Sequence, residues 1–130
     1  MNQMGPRIIF VGMHNKPGKM PLCSSTKSGK LIDRIIKQLR PYECLKTNLC
    51  DVEYLPTDLI EICKLRIDWH DKNHPEDWDI IILLGAWIHR NFLSDIPRTL
   101  KIAHPASKRS HIEIDDYVSK TTANILKLLK

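Results

Sequence analysis

At 130 residues and 42% hydrophobic content, the chain suits one domain around one core, and no apolar run approaches the roughly 20 residues needed to span a bilayer. The 20 Lys and Arg exceed the 15 Asp and Glu to give a formal charge of +5 at pH 7, which favours an anionic partner without identifying it. The N-terminus has neither the apolar segment nor the small-residue cleavage site of a secretory signal, so the expected location is the cytoplasm, where Cys23, Cys44, Cys50 and Cys63 stay as thiols.

Arg7 to Val11 is a β-branched and aromatic run ending at Gly12, the pattern of a strand buried on both faces. Met13 to Ser25 follows as a loop, since Pro17, Gly18 and Pro21 oppose any regular element. Ser28 is placed to cap a helix whose stripe is Leu31, Ile32, Ile35, Ile36 and Leu39, stopped by Pro41. Cys44 to Asn48 reads as a second strand with Asn48 at its carboxyl end. Thr57 is a cap candidate for a helix carrying Leu59, Ile60, Ile62, Cys63 and Ile67, and His70 to Glu76 is too polar for core. Asp79 to Leu84 is the clearest strand, followed by Gly85 and a short helix over Ala86 to Phe92. Thr99 to Ala103 makes a fourth strand, and Ile114 to Leu129 a final amphipathic helix. This alternation predicts a three-layer α/β/α sandwich with a short four-stranded, mainly parallel sheet.

In such a sheet the loops after the strands gather in the crevice beyond the carboxyl ends. Three polar segments fall there: Gly12 to Ser25, Asn48 to Glu53, and His104 to Ser110. The first has a Gly and a Gly-Lys, but five residues separate its glycines and Met20 follows Lys19, so it is not a nucleotide-triphosphate loop; no dinucleotide fingerprint is present either. His104-Pro105-Ala106-Ser107-Lys108-Arg109-Ser110 sets an imidazole, hydroxyls and two cations in seven residues, suited to gripping phosphate and a polar ring, or simply to a solvated basic turn. Trp69, Trp78 and Trp87 lie away from these loops, where packing is the expected role. His70 and His74 have metal-ligand spacing in a segment that reads as a solvated turn, and the four cysteines form no close pair, so neither metal nor cofactor is expected.

The ordered set Gly12 to Gly18, Lys46-Thr47-Asn48 and His104-Pro105-Ala106-Ser107 resembles the motifs of the uracil-DNA glycosylase superfamily. Lys19-Met20-Pro21-Leu22, Ser28-Gly29-Lys30-Leu31-Ile32-Asp33 and Leu83-Leu84-Gly85-Ala86 are similar to stretches of its iron-sulfur branch. The resemblance implies DNA as partner, an extruded base as substrate and a monomeric enzyme. It implies that Asn48 reads the base edge, with Gly12, Met13 and Leu22 forming the base pocket, and that His104 stabilises the departing base anion. Asn15 would position the attacking water, with His14 as the competing base. Gly18, Ser24, Ser25, Ser107, Lys108, Arg109 and Ser110 would contact DNA phosphates. Departures accompany the likeness. Four residues separate Gly12 from Pro17, where the iron-sulfur and mismatch-specific branches have two. Leu22 stands where the family has an aromatic, Ala106 where it has Ser, and cluster ligands are missing from Met1 to Arg7. Two other readings stay open: a non-catalytic DNA or nucleobase-binding member of the fold, and a small-molecule nucleoside-processing enzyme.

Overall fold

The computed structural model describes residues 6–92 and 98–129; the cysteine-free stretch from Met1 lies outside them as far as residue 5. Its strands are β1 (Arg7–His14), β2 (Glu43–Cys50), β3 (Ile80–Leu84) and β4 (Thr99–Ile102), in the order β2-β1-β3-β4 with every pairing parallel. The helices are α1 (Lys27–Gln38), α2 (Leu59–Asn73), α3 (Ala86–Asn91) and α4 (His111–Leu128).

Strand alternation divides the core into two layers. Ile8 and Phe10 of β1, with Ile80, Ile82 and Leu84 of β3, meet Leu31, Ile32, Ile35 and Leu39 around α1 and Tyr117, Val118 and Ile125 of α4. Ile9 and Val11, with Ile81 and Leu83, face the opposite way onto Trp69 of α2 and Ile88 and Phe92 around α3. The protein is therefore an α/β fold with helices on both faces of a parallel sheet. Trp69 and Trp78 are buried in that second layer, as packing requires, and Trp87 is half-buried beside it.

Several boundaries differ from the sequence expectation. β1 runs on through Met13 to His14 because β2 offers it a partner, pairing Gly12 with Asn48 and His14 with Cys50. Asn48 consequently lies inside β2, whose buried Leu49 and Cys50 extend the strand past the polar residue. Thr26, not Ser28, caps α1, its hydroxyl accepting the Gly29 N–H at 3.0 Å. Asp58, not Thr57, caps α2 by accepting the Glu61 N–H at 3.0 Å. α2 also continues through His70 to Asn73, because the buried Trp69 anchors its last turns while Asp71 and Lys72 face outward. α4 starts at His111, earlier than its apolar pattern, because Ser110 and Glu113 form a reciprocal capping box.

Since β2 and β3 flank β1 on opposite sides and their covering helices lie on opposite faces, the chain reverses its winding direction at β1. The crevice beyond the carboxyl ends of β1, β2 and β3 is the switch point at which such sheets bind ligands.

Candidate functional site

A pocket of about 140 Å³ opens at that crevice. Its walls include Gly12, Met13 and His14 at the end of β1, Leu22 and Cys23 of the following loop, Asn48 of β2, and His104 just after β4. All the residues singled out for the base pocket, together with both candidate histidines, thus meet in one cavity.

Two glycines allow the approach. A Cβ on Gly12 would lie 2.4 Å from Asn48 Oδ1, so only a bare α-carbon lets the amide sit against β1. Gly85, at φ 93°, would place a Cβ 3.1 Å from that of His104, and it lets the β3–α3 turn pass beneath the imidazole. Leu22 lines the pocket with its side chain 9% exposed and its backbone at φ 49°, a conformation that costs a branched residue of order 1 kcal/mol or more.

The two histidines have opposite hydrogen-bond polarity, each set by the backbone. His14 Nδ1 donates to the carbonyl of Asn15 at 3.1 Å, so the neutral ring leaves Nε2 with a free lone pair. His104 Nδ1 instead accepts the N–H of Ala106 at 3.1 Å, so the neutral ring carries its proton on Nε2. Burial, and secondarily the charge of Lys16, holds the His104 pKa below the usual 6.5 and keeps the ring neutral. The pocket therefore contains one imidazole that accepts and one that donates. Cys23 is a wall residue that sequence reasoning passed over; its thiol pKa is lowered by hydrogen bonds from Ser25 and by Lys19.

Asn15 stands apart from the pocket. Its Oδ1 accepts Asn48 Nδ2–H at 2.8 Å and its Nδ2 donates to Asp51 Oδ1 at 2.8 Å. It lines instead a larger open groove of about 780 Å³ between the free edge of β2 and α2, with Asn48 forming the partition. Asp51 is a second residue that sequence reasoning missed, and nothing local to it signals contact with Asn15, 36 positions away.

The phosphate-contact candidates surround this arrangement in sequence but do not line the pocket. The Gly18 N–H donates to Glu53 Oε2 at 2.7 Å, so an anion there competes with a carboxylate. Ser25 accepts from Lys19 at 2.8 Å, and Ser24 from Lys46 at 3.2 Å. Ser107 Oγ donates to the His104 carbonyl at 2.7 Å, bracing the turn that carries the imidazole, and Ser110 is occupied as the α4 cap. Lys108 lies 5.7 Å above the Tyr117 ring, whereas Arg109 is exposed. Among the described residues no three His, Cys, Asp or Glu side chains are grouped to hold a metal ion. His70 stacks on Phe92 at 5.6 Å, and no helix among the described residues is long and apolar enough to cross a membrane.

No protein-family model and no curated protein sequence matches the chain.

Proposed function

We propose that the protein hydrolyses the N-glycosidic bond of uracil or a related damaged base in DNA, as a monomeric cytoplasmic glycosylase resembling the uracil-DNA glycosylase superfamily. The observation that carries this reading is the pairing, in one pocket with Asn48, of a lone-pair-bearing His14 and a proton-bearing His104. His14 Nε2 takes a proton from water as its oxygen bonds to the anomeric carbon. The glycosidic electron pair leaves with the base, and His104 Nε2–H meets the charge developing on the base oxygen. The reading gives the water to His14 rather than to Asn15, because both polar atoms of the Asn15 amide are already hydrogen-bonded on the far side of Asn48. Lys16, Lys108 and Arg109 supply positive charge for the flanking phosphates.

The absence of any Phe, Tyr or Trp from the described walls favours a second reading, a base-binding relative without turnover, since stacking on an aromatic contributes about 1–3 kcal/mol per base in single-strand binders. Incubation with uracil-containing single- and double-stranded oligonucleotides, followed by alkaline cleavage of abasic sites, separates the two. Strand breaks that vanish with Asn48→Ala and His104→Ala support the enzyme; uracil-dependent binding without breaks supports the binder.

A further inference from the structure

The orientation of the Asn48 amide is set from outside the pocket. Asp51, exposed at the end of β2, presents a carboxylate, which only accepts hydrogen bonds. Asn15 must therefore turn its Nδ2 towards Asp51, which leaves its Oδ1 facing Asn48. Asn48 must in turn offer Nδ2 to Asn15, and its Oδ1 comes to rest over Gly12, beside the pocket. Inverting Asn15 would set its Oδ1 against the carboxylate. It would also force Asn48 to point its Nδ2 inward. One charge thus selects between two states of a chain of two amides, and Lys72, 3.7 Å from Asp51, helps to hold that charge in place.

We infer that Asp51 is a positioning residue for base selection, acting through Asn15 to hold Asn48 with its acceptor towards the pocket. This rests on the base-excision reading above. With Asn48 Oδ1 accepting and His104 Nε2 donating, the pocket complements a ring edge bearing N–H beside C=O, as in uracil. Cytosine carries a bare nitrogen at that place and would put a lone pair against Oδ1. Inverting the amide would reverse the preference at this contact.

The test uses the intact chain and two readouts. In the protein alone, side-chain amide NMR should show distinct, slowly exchanging Nδ2 protons for Asn15 and Asn48, which Asp51→Asn averages or shifts. Binding is then compared for oligonucleotides carrying uracil or cytosine on a fluorinated sugar that resists cleavage. Asp51→Asn, matched to the native protein in thermal midpoint, is expected to lower the uracil-to-cytosine affinity ratio about five- to tenfold, a change that general loosening would not confine to the ratio. The exchange double variant Asn15→Asp/Asp51→Asn returns a carboxylate to face Asn48 directly and should restore the ratio. An unchanged ratio in Asp51→Asn beside native discrimination overturns the positioning role and leaves the excision reading standing. Native protein that shows the ordered amides but distinguishes neither base overturns the excision reading and with it the role of Asp51 in base selection, while the hydrogen-bonded order of the two amides stands.

Discussion

Single atoms decide how this pocket works. Adding one methyl at Gly12 would bring a carbon to 2.4 Å from Asn48 Oδ1, so Gly12→Ala is expected to displace the amide. Under the proposed mechanism, steady-state kinetics should show at least a tenfold loss of kcat/KM, while circular dichroism stays native. His104→Leu removes the Nε2–H donor and, under the proposed mechanism, should lower kcat by roughly a hundredfold or more. Protonation of His104 has its own signature. Protonating Nδ1 makes it a donor facing the Ala106 N–H, and burial already depresses the folded pKa below 6.5. As pH falls from 6.5 towards that lowered value, the unfolded chain takes up a proton that the folded chain resists, so stability falls with acid and is unaffected above the window. His70, also depressed chiefly by burial, acts in the same direction. Thermal midpoints between pH 7.5 and 5 should therefore drop less steeply in His104→Gln than in the native protein, without becoming flat.

At the scale of elements, the pocket depends on where strands stop and helices start. β1 outruns the position at which its apolar pattern ends, carrying His14 to the crevice on paired backbone instead of free loop, and β2 holds Asn48 within its length, opposite Gly12. That rigidity is what the proposed reaction would require of these groups. The turn bearing His104 is anchored on both sides: the buried Pro105 begins a short 3₁₀ turn, and Ser110 caps α4. Ser110→Ala removes one half of the capping box and should cost about 1 kcal/mol of stability in denaturant titration, with a smaller effect on the pocket itself. Ile35, fully buried against β1 and β3, is a different case. Ile35→Ala leaves a cavity in the first core layer and should cost about 2–5 kcal/mol.

For the whole molecule, the formal charge of +5 bears on the proposed DNA partner through the salt dependence of binding. If Lys16, Lys108 and Arg109 each neutralise one phosphate of a single strand, log K should fall against log salt with a slope of about −2, measurable by anisotropy. A small nucleoside should show almost no such slope. The alternating layers were legible in the chain because apolar runs such as Ile80 to Leu84 and the α1 stripe report burial through nearest neighbours. The gathering of Gly12, Asn48 and His104 followed from parallel strands alone, since every strand-to-helix loop leaves by one edge. The helix caps were read less well, because Thr26, Ser28, Thr57 and Asp58 are all competent and only backbone direction chooses among them. By itself the sequence determined the α/β alternation, the double-faced core and the polar character of three loops, all properties of short windows. Tertiary structure alone decided which ring nitrogen of each histidine carries the proton and which way Asn48 points. The Asn48–Asn15 and Asn15–Asp51 bonds join residues 33 and 36 positions apart, a proximity that no local propensity encodes.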